Sequence, residues 1–174
     1  MKSKVILVVN GEPNSIFSEI FIKSLSKFKE KTPVVYIYSI KLLKMQMSKL
    51  NVNKKIKLIN PKKINEYRLD NNSINLINIE FNQNKAFTKI SNKSKKFIKK
   101  SFDTAFKIIK KENIKKFING PVSKKHFLGN KFLGITEYIS KKFNRNTCML
   151  IYNKELSVCP VTTHLPLKKV SKKV

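Results

Sequence analysis

The sequence predicts an α/β fold, a sheet with helices on both faces in a three-layer α/β/α arrangement. Three observations lead there. Short apolar runs rich in β-branched residues, such as Val5-Ile6-Leu7-Val8-Val9 and Val34-Val35-Tyr36-Ile37-Tyr38, alternate with stretches of helical periodicity. Strand-like runs pass directly into turn chemistry, as at Gly11-Glu12-Pro13 and Gly120-Pro121. The 174 residues, 41% of them hydrophobic, suffice for one sizeable core, so one domain is expected.

The elements follow in order. Val5 to Asn10 reads as a buried strand, and Gly11 to Asn14 as a turn. Ser15 or Asn14 can cap a helix whose apolar stripe is Ile16, Ile20, Phe21, Leu25 and Phe28. Val34 to Tyr38 is a second strand, and Ile40 to Leu50 has helical spacing with Met45 and Met47 as core filler. Residues 51–72 offer one strand, Ile56 to Ile59, and Ile74 to Phe81 alternates apolar and polar residues like a half-exposed strand.

Ser94 to Glu112 carries the strongest helical pattern, with Phe97, Ile98, Phe102, Ala105, Phe106 and Ile109 on one face and lysines opposite. A short strand at Phe117-Ile118 leads to Gly120-Pro121, where the proline suits a first helical turn. Thr136 to Phe143 is a further helix. Thr147 to Tyr152 and Leu156 to Val161 are strands around the turn Asn153-Lys154. No repeat and no flexible linker interrupts the chain.

Cys148 and Cys159 lack the CxxC spacing of a metal site and are too few for a disulfide scaffold. Each lies in a strand-like run, so two small buried thiols are expected. No apolar run reaches membrane-spanning length. The basic start Met1-Lys2-Ser3-Lys4 precedes an apolar run that ends in Asn10-Gly11-Glu12-Pro13 rather than a small-residue cleavage site. A first strand and a cytoplasmic address follow.

The formal charge of +28 raises the alternative of a basic nucleic-acid-binding domain. Arg68 and Arg145 are the only arginines among the 38 basic side chains, however, and nucleic-acid readers favour the bidentate arginine fork. Lysines spread over nearly every segment, with abundant Asn and Ile, look like the drift of an AT-rich genome onto solvated faces. Nonspecific polyanion binding at low salt is still expected.

Three loops follow strands: Gly11-Glu12-Pro13, Gly120-Pro121-Val122-Ser123-Lys124 and Thr162-Thr163-His164. In a parallel sheet such loops gather at one edge, where ligands bind. A helix start after Gly120, with Lys124 nearby, would suit a phosphate or carboxylate. His164, one of two histidines, sits among hydroxyls and a proline turn, either as a metal ligand or as a structural residue. Glu12 and Glu137 could act as acids or bases, Glu137 more naturally supporting a helix N-terminus. His126 reads as a surface or helix-end residue.

Asn10-Gly11-Glu12-Pro13-Asn14-Ser15-Ile16-Phe17-Ser18-Glu19 resembles the GDPAGIGPE-type signature of the 4-hydroxythreonine-4-phosphate dehydrogenase family. Asn119-Gly120-Pro121-Val122-Ser123-Lys124 resembles that family's TGPVSK segment, and Gly134-Ile135-Thr136-Glu137-Tyr138 its GHTEYL segment. Val161-Thr162-Thr163-His164-Leu165-Pro166-Leu167 resembles its VTTHLPL segment. The four matches occur in the family's order.

The resemblance implies a fold like isocitrate and isopropylmalate dehydrogenases, of which residues 1–174 would be the N-terminal portion. The C-terminal half, with most of the NAD site and the other metal-binding histidines, would be absent. It implies NAD-dependent oxidation of 4-phosphooxy-L-threonine, then loss of CO2 to give 3-amino-2-oxopropyl phosphate, in vitamin B6 biosynthesis. A divalent metal (Zn, Mg or Co) and a homodimer belong to that picture, and the fragment alone should be inactive. His164 takes the role of metal ligand and Thr136 that of substrate binding, with Lys124 a further substrate-side candidate. Ile135 stands where the family has a substrate-binding histidine, and it can neither donate nor accept a hydrogen bond. That departure leaves open a noncatalytic remnant of the family.

Overall fold

The computed structural model describes residues 5–27, 31–145, 147–162 and 165–172. The chain divides into two compact units, Met1–Gly129 and Asn130–Val174. No composition shift in the sequence marks that division.

The first unit is built on a five-stranded sheet, β1 (Ile6–Val9), β2 (Val34–Tyr38), β3 (Ile56–Leu58), β4 (Ile74–Asn78) and β5 (Lys116–Asn119), in the order β3-β4-β2-β1-β5. All four pairings are parallel: Leu7 lies opposite Val35 on one side and Phe117 on the other, and Ile37 opposite Ile77. Helices α1 (Ile16–Ser24), α2 (Ile40–Lys49) and α3 (Lys95–Glu112) connect them. The predicted α/β class and helices on both faces are present. Phe17 and Phe21 of α1 share one face with Ile6, Val8 and Ile118, while Phe102 and Phe106 of α3 meet Phe117 on the other.

Leu7, Val9, Val35, Ile37, Leu76 and Ile77 are fully or nearly fully buried, as expected of parallel strands covered on both sides. β4 is therefore not the half-exposed strand its alternation suggested: Ile74 to Ile77 are all buried. Its polar Asn75 is accommodated because its side-chain amide donates to Val34 O at 2.9 Å and Asp70 O at 2.6 Å. Local pairing overrode the polar period.

α1 is capped as predicted, by Ser15 Oγ accepting from Phe17 N at 3.3 Å. Its stripe is another matter. Ile16 and Ile20 are 67% and 53% exposed, whereas Ser18 and Ile22 are buried. Phe21 of the stripe does meet the sheet, stacking on Tyr36 with ring centroids 3.9 Å apart, and with Leu25 it lines an apolar pocket of about 210 Å³ between α1 and the sheet; Phe28 lies outside the described residues. α3 buries the expected face except that Ile108 replaces Ile109, and Asn113 ends it in the left-handed conformation at φ 52°. Met47 is buried as core filler.

The second unit contains α4 (Ile135–Phe143) and an antiparallel pair, β6 (Ile151–Tyr152) and β7 (Ser157–Val158). The turn at Asn153 is as predicted, its N–H donating to Leu156 O at 3.0 Å. The strands are only two residues each and exposed on both, shorter than the runs from which they were read. Among the described residues, no helix is long and apolar enough to cross a membrane.

Candidate functional site

In the first unit, β1 and β5 are neighbours, yet the chain leaves β1 through α1 toward β2 on the opposite side. This is a topological switch point, and the loops beyond the carboxyl ends of such strands are where α/β sheets place ligands. Here those loops are Asn10-Gly11-Glu12-Pro13 and Gly120-Pro121. They touch. Glu12 N donates to Pro121 O at 2.9 Å, and Gly120 N to Val9 O at 2.8 Å.

Two glycines permit that approach. Gly11 has φ 73°, and a Cβ on it would lie 2.4 Å from Pro121 O. A Cβ on Gly120 would lie 2.0 Å from Asn10 O and 2.7 Å from the Phe17 ring. Glycine is required for backbone contact of this closeness.

Beneath the loops lies a buried polar cluster that the sequence did not disclose beyond Glu12. Asn10 and Glu12 are 0% and 1% exposed. The Tyr36 hydroxyl donates to Asn10 Oδ1, and Asn10 Nδ2 donates to Glu12 O at 3.0 Å. Ser94 Oγ donates to Glu12 Oε2 at 2.7 Å, and Asn14 N to Glu12 Oε1 at 3.4 Å. The Tyr38 hydroxyl donates to Pro13 O at 3.0 Å, where Gln46 Nε2 also donates at 3.2 Å. Burial pushes the Tyr36 phenol well above its ordinary pKa, with Tyr38 adding to the effect, and burial likewise raises Tyr38. Every one of these bonds fixes the 10–15 loop, so the cluster holds the site's backbone in place.

The Gly120-Pro121 segment is not a helix start. Residues 120–123 are irregular, and a single π-turn, Lys124–Leu128, begins one step later with Ser123 Oγ accepting from His126 N at 3.2 Å. Pro121 gives its carbonyl to Glu12 instead, which corrects its expected place in a first helical turn. Lys124 is exposed on that π-turn. His126 Nδ1 lies 2.8 Å from Asn92 Oδ1, in keeping with a helix-end role.

In the second unit, Ile135 and Thr136 open α4 behind Gly134, and both are half-buried. Glu137 sits in the first turn, as a carboxylate supporting a helix N-terminus should. Its Oε2 is buried without a hydrogen-bond partner, and would stand 2.9 Å from a Cβ placed on Gly134. Thr136 and Glu137 line an open pocket together with Cys148 and Cys159. The cysteines correct their predicted burial: both are exposed, and their sulfurs are 2.7 Å apart. The hairpin is too short to cover them.

The third predicted loop follows β7, in the second unit. Thr163 and His164 themselves lie outside the described residues. Among the described residues, no group of three or more His, Cys, Asp or Glu side chains could hold a metal ion. His164, the predicted metal ligand, is not among those residues, and a catalytic zinc takes three protein ligands in typical enzymes.

Comparison with known proteins matches this geometry to one family. The family described as "Pyridoxal phosphate biosynthetic protein PdxA" matches residues 29–174. A 4-hydroxythreonine-4-phosphate dehydrogenase of Sulfurihydrogenibium sp. (strain YO3AOP1) is 29% identical over 168 residues, 94% of this chain and 51% of that protein. The crystal structure of a 4-hydroxythreonine-4-phosphate dehydrogenase from Burkholderia phymatum superposes with TM-score 0.82 at 20% identity, over 98% of this chain and 53% of that one. One from Klebsiella pneumoniae gives 0.80 at 22% identity, over 98% and 54%. The chain thus has their fold and spans about half the length of each of these relatives.

Proposed function

The chain belongs to the PdxA family of pyridoxal phosphate biosynthetic proteins, and from that premise we propose that it is the N-terminal portion of a 4-hydroxythreonine-4-phosphate dehydrogenase. The reaction is NAD-dependent oxidation of the secondary alcohol of 4-phosphooxy-L-threonine. The β-keto acid so formed loses CO2 to give 3-amino-2-oxopropyl phosphate. The observation that supports this reading most is the family match over residues 29–174, which takes in Thr136 at the head of α4 and His164.

In this reading Thr136 contacts substrate, and Lys124 contributes positive charge near its phosphate. His164 supplies one ligand to a divalent metal (Zn, Mg or Co), whose other ligands come from outside this chain. NAD binding rests mostly on the half that the relatives have and this chain does not span. A homodimer in the cytoplasm completes the proposal, and the 174 residues alone have no turnover.

Ile135 favours a second reading, a noncatalytic member of the family. A half-buried isoleucine at the first residue of α4 offers no hydrogen bond to a polar substrate. A basic nucleic-acid-binding domain finds less support, because lysines occupy α1, α2, α3, α4 and the loops rather than one face.

The test is NADH formation from 4-phosphooxy-L-threonine and NAD with added divalent metal. It is run on the chain alone and on the chain co-expressed with the C-terminal half of the Sulfurihydrogenibium relative. Turnover only in the combined sample supports the dehydrogenase. Turnover by the chain alone refutes the inactive-fragment reading. No turnover by a combined sample that folds and carries Ile135→His supports the noncatalytic member.

A further inference from the structure

We propose that Cys148 and Cys159 form a reversible intramolecular disulfide, a redox modification site whose oxidants are low-molecular-weight disulfides. Nothing in the dehydrogenase reading uses either thiol, and the inference does not rest on that reading.

The hairpin register brings the two together. Ile151 lies opposite Val158 and Tyr152 opposite Ser157. Carried one step outward, that register sets Cys159 against Leu150, with Cys148 on the same face one pleat further along. The sulfurs are 2.7 Å apart, and both cysteines are open to solvent. An oxidant can reach them, and closing a bond of about 2.05 Å requires movement of well under an ångström. Cys159's thiol is held above its ordinary pKa, first by its hydrogen bond to Cys148.

A metal site is the competing use of two thiols. A closed zinc site needs four ligands, and no group of three suitable side chains occurs among the described residues.

The chemistry balances by thiol–disulfide exchange. One cysteine loses its proton, and its thiolate attacks a sulfur of RSSR, expelling RS⁻ and leaving a mixed disulfide. The second cysteine, deprotonated in turn, attacks the protein sulfur of that mixed disulfide and expels the second RS⁻. The two protons released by the protein end on two RSH, and the two electrons reside in them. A small dithiol runs the sequence backward. The bond would clamp the mouth of the β6–β7 hairpin beside the Thr136–Glu137 pocket.

The purified chain is treated with a chelator, reduced, freed of reductant, and equilibrated with mixtures of oxidised and reduced glutathione. It is then alkylated with a maleimide polymer. The expected result is loss of both reactive thiols in one step, with a Cys148–Cys159 linked peptide lighter by two hydrogens. Dithiothreitol should restore both thiols. Cys148→Ser and Cys159→Ser should each carry a glutathione adduct instead. Amide exchange at Ile151 and Val158 should slow at least tenfold, by rough expectation for a stapled two-residue ladder. Thiols that stay reactive in excess oxidised glutathione would overturn the proposal. So would a covalent dimer, or a stable doubly glutathionylated chain.

Discussion

The hydroxyl of Ser94, which immediately precedes α3, donates to the carboxylate of Glu12 at 2.7 Å, although the two stand 82 positions apart in the sequence. Glu12 belongs to the loop after β1, so this one bond ties the start of the long helix to the switch-point edge. Ser94→Ala would strand a buried oxygen. The expected cost is about 1–3 kcal/mol, read as a lower urea midpoint with unchanged slope. An unchanged midpoint would mean that water replaces the hydroxyl at no cost.

Gly120 meets Asn10 O and the Phe17 ring with no room for a methyl group. Gly120→Ala should destabilise the first unit by roughly 1–3 kcal/mol, the range for overpacking. Thermal unfolding of this variant beside Gly129→Ala checks it. Gly129 has open space around its Cβ position but φ 58°, so that control isolates left-handed strain from collision.

Alkaline pH should weaken the fold through its two tyrosines. Burial keeps Tyr36 and Tyr38 neutral in the folded state beyond the pH at which free phenols ionise, about 10. The unfolded chain releases those protons first, so stability is intact below about pH 10 and falls as pH rises further. Melting temperature followed from about pH 8 to 11 should drop, and Tyr36→Phe should drop less steeply. Equal slopes in both proteins would remove the tyrosines as the cause.

Ile135→His returns a hydrogen-bonding ring to the first turn of α4. In the chain combined with a relative's C-terminal half, KM for 4-phosphooxy-L-threonine should fall by about 10–100-fold, the worth of one hydrogen bond to a charged group. Unchanged KM and kcat would show that substrate does not reach this position.

Much of the fold could be read from periodicity and turn chemistry. β1, β2, α2 and α3 fall within a residue or two of their expected limits, because the strands are unbroken apolar runs and the helices have a strong apolar period with a serine at the start. Alternation misled at β4, where Asn75 is buried by bonding to neighbouring backbone rather than by being apolar. The stripe of α1 held at Phe21 and Leu25 and misled at Ile16 and Ile20, because apolar spacing specifies a face, not what covers it.

At the site, the glycine turns were visible as motifs, but their mutual contact was not, since Glu12 and Pro121 are brought together only by the β1–β5 pairing. Asn10, Tyr36 and Ser94 carried no local signal of polar burial. The cysteines did offer one: they lie on the two arms of the Asn153 hairpin, on one face and one pleat apart, close enough for a diagonal contact.

The exposed Ile16 and Ile20 bear on how this polypeptide should behave in a test tube. Copies carrying +28 repel one another while ions are scarce. Added electrolyte shortens the reach of that repulsion to about 8 Å at physiological strength, leaving the greasy ridge of one copy free to find another. Solubility should therefore decline as buffer salt increases.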